Sequence, residues 1–314
     1  MKAAHRRSAA ISIDVDALRH YYALHGLSLP KGSDACLNEG LPRFLELCAD
    51  VGVRATLFVV GDDLSDPGFA RAVARAAVQG HEVQSHSFAH DYALSRRSAL
   101  DIDSDLRRSC DALQAITGVR PVGFRAPGYN LSEALLDGLE RAGFAWDSSI
   151  MPSPAYFALR AGAIARHSLA RRTSSSLLGD VRAFFAPDRP YEPARGAHFR
   201  PARSAMERRA LLEVPITTAG GLPWIGTTLA WLADDAGDAL TELALARRAP
   251  VVLELHALDF IDGRSLPADM SQPDARVPLK DKLRRLRRTL ALIGARRRLC
   301  TVGELASREL TGSF

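Results

Sequence analysis

Ala10-Ile11-Ser12-Ile13-Asp14-Val15-Asp16 decides the fold class of this 314-residue chain, because it reads as a strand, Ala10–Val15, that runs into acids. Side chains alternate along a strand, so Asp14 and Asp16 face the same way. Two carboxylates side by side repel unless a cation or a proton lies between them. Read alone, the pair more simply supplies a helix cap or a surface acid.

Downstream, short apolar runs alternate with amphipathic helices. Leu41–Val51 reads as a helix and Ala55–Val60 as a buried strand. Phe69–Val78 reads as a helix closed by Gly80, Glu82–Ser85 as a strand, and Ser98–Thr117 as a helix closed by Gly118. Val122–Arg125 and Phe144–Asp147 are strands on either side of a helix at Ser132–Ala142, with Ser132 as its N-cap. Beyond an irregular stretch come strands at Leu211–Ile216, Val251–Leu255 and Leu299–Val302, and helices around Asp238–Arg247 and Leu279–Ile293. This α/β order predicts a parallel sheet covered by helices, and about seven parallel strands favour a (β/α) barrel over an open sheet. No dinucleotide fingerprint or P-loop follows the first strand. One domain over residues 1–314 is expected, with residues 151–210 as an insertion that the simple barrel has no place for.

Apolar residues make up 47% and charged residues 25% of the chain, which excludes a disordered or fibrous protein. The net charge of +5, with no Lys-rich tail or aromatic–basic repeat, gives no reason to expect nucleic acid. The charge is uneven: residues 160–210 hold eleven Arg against four acids. The cysteines Cys36, Cys48, Cys110 and Cys300 lie far apart with no C-x-x-C pair, which argues against a thiolate zinc site and fits a reducing, cytoplasmic setting. Met1–Ala10 is too short and too polar for a signal peptide, and no apolar run approaches the length of a membrane span.

Polar residues gather where strands end, the place where a parallel α/β barrel carries its chemistry. The third strand runs into His86-Ser87-Phe88-Ala89-His90, whose histidines, four apart, would share one face of a helical turn. Two histidines and a carboxylate form a set that zinc and other first-row metals accept. Phe124-Arg125-Ala126-Pro127-Gly128-Tyr129 sets an Arg that would keep a neighbouring carboxylate ionised, and a Pro-Gly turn whose N–H groups suit an oxyanion. Asp147-Ser148-Ser149 could buttress Arg125. Val251-Val252-Leu253-Glu254-Leu255 runs into His256, either a satisfied core histidine or a general acid. Each motif taken singly also has an ordinary structural meaning: a turn, a cap or a chance pair.

In this order, I-D-V-D, H-S-x-x-H, F-R-A-P-G-Y, W-D-S-S and L-x-L-H resemble the motifs of the polysaccharide deacetylases, the NodB-type or carbohydrate esterase 4 family. The resemblance covers roughly residues 10–150 and 210–305. It implies a distorted (β/α) barrel and removal of N- or O-acyl groups from sugars with one divalent metal, zinc first, with cobalt, nickel or manganese as alternatives. It makes Asp14 the base, Asp16, His86 and His90 the metal ligands, Arg125 the partner of the base and His256 the acid. Gly128 and Tyr129 would serve the oxyanion or substrate, with Asp147 in support and Glu213 or Asp259 tuning the acid. The family usually has two adjacent aspartates, whereas Val15 separates them here. That spacing is similar to the branch that deformylates 4-deoxy-4-formamido-arabinose on an undecaprenyl phosphate carrier. An N-acylated sugar on a lipid carrier is therefore the expected substrate. The alternatives are a soluble, allantoinase-like amide hydrolase and an inactive carbohydrate-binding relative.

Within the insertion, Ala155–Arg172 reads as a helix with Arg160, Arg166, Arg171 and Arg172 among apolar residues. Such a segment could rest on an anionic bilayer as a peripheral contact, or cap the barrel as a solvated face. The last long helix stripes Leu279, Leu283, Leu286, Leu290 and Ile293, which predicts packing on the barrel.

Overall fold

The computed structural model describes residues 7–24, 27, 34–169, 177–266 and 276–311. Eight parallel strands form one sheet: β1 (Ser8–Val15), β2 (Thr56–Val59), β3 (Glu82–Ser85), β4 (Gly123–Phe124), β5 (Trp146–Asp147), β8 (Leu212–Glu213), β11 (Val251–His256) and β12 (Arg298–Cys300). Two short hairpins, β6 (Pro193–Ala194) with β7 (Ala197–Pro201) and β9 (Thr218–Ala219) with β10 (Leu222–Pro223), stand apart from it.

The spatial order is β11-β1-β2-β3-β4-β5-β8. β11 follows one edge of β1 from Ala9 to Asp14, while the other edge is shared, Ser8–Ala10 pairing with β12 and Ser12–Val15 with β2. The curl nearly closes through irregular chain after β8. Val214 N–H bonds the Asp147 carbonyl (2.8 Å), and Thr217 N–H reaches the Val252 carbonyl of β11 (3.1 Å). The barrel predicted from the strand count is thus present, closed by single hydrogen bonds rather than a full ladder.

Strand alternation sorts the side chains. Ile11, Ile13 and Val15 pack outward with Leu57, Val59, Leu253 and Leu255 under helix residues such as Leu41, Phe44, Leu286, Leu290 and Ile293. Ala10 faces the interior and packs with Phe58, Trp146, Val214 and Val252. Ser12 and Asp14 continue the interior face upward, so the apolar plug ends in a polar mouth.

Most expected elements recur within a residue or two. The helix Leu41–Val51 ends at Gly52, and Ala99–Thr117 starts on the Ser98 side-chain cap and ends at Gly118; both glycines are left-handed. Ser132 caps Glu133–Ala142 through the Leu135 N–H. The sequence pattern gave no sign of the short helices Leu18–Leu24 and Gly226–Trp231, each too brief to show a period. The insertion helix spans Pro154–Leu169; the rest of its expected length, including Arg171 and Arg172, lies outside the described residues, as does the side chain of Arg166. Among the described residues no helix is long and apolar enough to cross a membrane.

Candidate metal centre and acid–base site

β1 delivers both aspartates to the mouth. Asp16 Oδ1 lies 3.3 Å from His86 Nε2 and 3.3 Å from His90 Nε2, and Asp16 Oδ2 accepts from the Tyr21 hydroxyl (3.2 Å). One ligand atom from each of Asp16, His86 and His90 lies within 4.8 Å of the others, and all three residues are buried. His86 Nδ1 is held by the Arg125 carbonyl (2.8 Å), which turns Nε2 toward Asp16. Burial takes His90 down to about 4, so its imidazole is neutral at neutral pH, as a ligand must be.

The two histidines meet through a different geometry from the one expected. They do not sit on a helical turn: Ser87 and His90 have φ of 65° and 52°, in the left-handed region. The loop is pinned by the Ser87 hydroxyl, which accepts from His90 N–H, and by Asp105, which accepts from Phe88 and Ala89 N–H. The other non-glycine residue with positive φ among those described is Tyr129, so all three lie at this mouth.

Asp14 sits beside the ligand set and faces Arg125. Arg125 Nη1 donates to Asp14 Oδ1 (2.7 Å) and to the Ser12 hydroxyl, Nε to the Ser148 carbonyl and Nη2 to the Ser148 hydroxyl. The guanidinium is wholly buried and also stacks 4.1 Å from the centre of the Phe58 ring. A buried charge is tolerated only when paired and hydrogen-bonded, and Arg125 meets both conditions. Burial raises the Asp14 carboxyl, with Arg125 pulling the other way, a setting that suits a base.

The β1–β11 register pairs Asp14 with His256. His256 Nδ1 lies 2.9 Å from Glu254 Oε1, and Nε2 lies 3.5 Å from the Tyr129 hydroxyl. Burial alone would lower His256; the Glu254 carboxylate overcomes it and holds the imidazole well above its usual value. Glu254 was not anticipated, although residues two apart on a strand share a face and the run Glu254-Leu255-His256 contains that signal.

The tuning roles expected for Glu213 and Asp259 are not what the geometry shows. Asp259 accepts from the His256 backbone N–H (2.8 Å), fixing the main chain. Glu213 accepts from Ile150 N–H and lies against Asp147. Burial and that neighbouring carboxyl push Glu213 well above the usual carboxylate range. Asp147 in turn does not hydrogen-bond Arg125; it accepts from Ser149, whose hydroxyl accepts from Ala126 N–H, and Ser148 is the residue that holds the guanidinium. Gly128 (φ 60°) and Tyr129 form the turn beside the acid, but the Tyr129 N–H is engaged by the Ala126 carbonyl (2.9 Å), leaving its phenol as the group at the mouth. Tyr21 on Asp16, and His20, whose ring lies 4.4 Å from that of His90 and which is held by Asp63, are further residues the motifs did not reveal.

The donor set fits a metal. Asp16 Oδ1 and both His90 nitrogens are buried without a hydrogen-bond partner, a costly state that an ion at the centre of the three would relieve. A barrel with a His₂Asp cluster, an Arg-paired aspartate and a histidine beside a carboxylate at its strand ends has the groups that metal-assisted hydrolysis uses.

Residues 32–146 match the sequence model of the polysaccharide deacetylase family. The chain is 26% identical over 147 residues to the peptidoglycan deacetylase of Helicobacter pylori, covering 45% of this chain and 49% of that one. It is 27% identical over 163 residues to the peptidoglycan deacetylase-like protein FGM2 of Gibberella zeae, covering 48% and 45%. The chain thus spans about half the length of the curated relatives it matches. In fold it resembles crystal structures of proteins assigned as polysaccharide deacetylases from Mycobacterium smegmatis (TM-score 0.57, 20% identity, 98% of this chain and 92% of that one) and Pseudomonas aeruginosa PAO1 (0.58, 16%, 96% and 89%). Over residues 32–146 the chain is thus similar in sequence to the polysaccharide deacetylase family, and in fold it is similar to solved structures assigned to that family. The matched segment contains His86, His90 and Arg125, while Asp14, Asp16 and His256 join them through the fold.

Proposed function

We propose that this chain is a metal-dependent hydrolase that removes an N-acyl group, formyl or acetyl, from an amino sugar carried on a lipid. The observation that supports it most is the set of buried, unpartnered donor atoms on Asp16 and His90, next to Asp14 paired with Arg125 and His256 paired with Glu254. Asp16, His86 and His90 would hold one divalent ion, zinc first by its taste for this donor set, which when bound supplies Lewis-acid polarisation and acidifies water.

The chain's own groups supply the rest. Asp14 takes the proton of the attacking water at its carboxylate, and Arg125 holds that carboxylate in place. The Gly128–Tyr129 turn offers the Tyr129 hydroxyl to the substrate oxygen. His256, kept protonated by Glu254, gives the Nε2 proton to the leaving amine nitrogen, which leaves poorly without it. Asp147 and Glu213 support the Ser149–Ala126 contact behind the turn.

The lipid carrier is supported by the I-D-V-D spacing; of the eleven Arg in residues 160–210, Arg160 is turned onto the Gly128 carbonyl, Arg209 is buried among carboxylates and Arg182, Arg195, Arg200 and Arg208 are ion-paired, so that charge adds little to it. Four buried, unpaired cysteines support a cytoplasmic setting. The test is release of free amine and of acetate or formate from N-acetylglucosamine oligomers, peptidoglycan fragments and a lipid-linked formamido sugar. Activity lost to a chelator and restored by zinc is expected on at least one; no turnover of any substrate by metal-loaded protein overturns the reading.

A further inference from the structure

The insertion reaches the catalytic mouth through Arg160 and Tyr156. Arg160, on the helix Pro154–Leu169, donates from Nη1 to the Gly128 carbonyl (2.5 Å) and to the Tyr156 hydroxyl (2.9 Å). Its guanidinium carbon lies 5.7 Å from the Tyr92 ring centre and 5.9 Å from that of Tyr156. Its Nε and Nη2 are buried without a hydrogen-bond partner among the described residues. Among the described residues, the ionisable groups that act on it most are Tyr156, Tyr92 and Tyr129.

Gly128 is built to receive this contact. Its φ of 60° suits glycine, and a Cβ there would come 2.4 Å from Tyr92 Cε1 and 2.8 Å from Arg160 Nη2. The turn is therefore clamped between Tyr92, which packs 5.2 Å from the His90 ring, and Arg160 from the insertion. The next residue, Tyr129, packs edge-on against Tyr156 of the same helix (5.6 Å) and carries the hydroxyl that meets His256. A guanidinium with two buried, unpartnered nitrogens is expensive to keep, and a surface cap or membrane anchor gives no reason to bury it here.

We propose that Arg160 is a positioning residue: it fastens the insertion to the Gly128 carbonyl and so sets the Tyr129 hydroxyl against His256. The insertion then completes the acid side of the site, whatever else its surface does. The kinetic part of this inference rests on the hydrolase reading above; the structural part does not.

The experiment compares R160Q, R160K, Y129F and the double variant R160Q/Y129F, each loaded with zinc. R160Q should keep its metal and lose roughly tenfold in kcat with a smaller change in KM, and R160K, which can still bond the Gly128 carbonyl, should recover most of that loss. In the Y129F background, R160Q should cost little more, because both act through one hydroxyl. Multiplicative losses, or no rescue by lysine, would mean that Arg160 only holds its helix, and overturn the proposal. Crystal structures of wild type and R160Q give a readout free of turnover. The Tyr129 hydroxyl should move out of hydrogen-bond reach of His256 in R160Q, and an unmoved turn overturns the proposal even if the wild type proves inactive on every sugar tested.

Discussion

The two sides of the barrel mouth differ in how their charges are matched. On the Asp16 side, His86, His90 and Asp16 converge with Asp16 Oδ1 and both His90 nitrogens left without partners. On the Asp14 side each charge faces an opposite one, Asp14 with Arg125 and Glu254 with His256, although both Glu254 oxygens also lack a hydrogen bond and Asp14, Glu254 and His256 converge within 4.8 Å. Burial is deep on both sides except at His256, so exposure does not explain the contrast. A neutral histidine and a carboxylate converging in a dry site suit an ion, whereas a carboxylate bonded to a guanidinium and an imidazole held against a carboxylate suit groups that move protons. The two aspartates that look alike in the sequence thus have different neighbours, two histidines for Asp16 and a guanidinium for Asp14.

Removing ligands should produce the largest effect. H86A and H90A should each lose stoichiometric metal and fall to background turnover, as read by elemental analysis beside an amine-release assay. Retention of full metal in both would dissolve the contrast, since the unpartnered atoms would then have another cause.

D14N and H256A should come next, with metal retained and the rate down roughly 10²–10⁴-fold, the usual worth of a positioned base or acid. For H256A the loss should shrink on an activated ester, whose leaving group needs no proton. D14N that loses metal along with D16N would place both aspartates on the ligand side.

A smaller and more directional effect is expected for E254Q. Glu254 raises His256 above 6.5, so the acid stays protonated, and the rate should hold, past that pH. Without the carboxylate the alkaline limb of the pH–rate profile should shift to lower pH. The sign for stability follows from the same shift: the pair's contribution is full below about 6.5 and fades as pH rises through the raised folded value. The difference in Tm between wild type and E254Q should therefore narrow as pH increases, and a constant difference would assign Glu254 to packing alone.

The smallest effect is expected for Y21F. Its hydroxyl donates to Asp16 Oδ2, so its loss should weaken zinc affinity by about tenfold or somewhat more, measured by chelator competition, with kcat at saturating metal nearly unchanged.

The sequence by itself determined the β–α order, the strand ends that carry Asp14, Asp16, His86, Arg125 and His256, and the glycine that the 126–129 turn requires. These are local matters: apolar periodicity sets an element, alternation sets a face, and a strand's last residues must emerge at its end. Tertiary structure decided which polar groups meet. Asp14 is adjacent to His256 because β1 and β11 pair in register, although 241 residues separate the two neighbours. The histidine pair closes through left-handed backbone at Ser87 and His90, which no helical spacing rule describes. Glu254 rather than Glu213 became the partner of His256, and Ser148 rather than Asp147 the support of Arg125. The physical reason is that a side chain's direction is fixed by its own strand, while its partner is fixed by the register, curl and closure of the whole sheet.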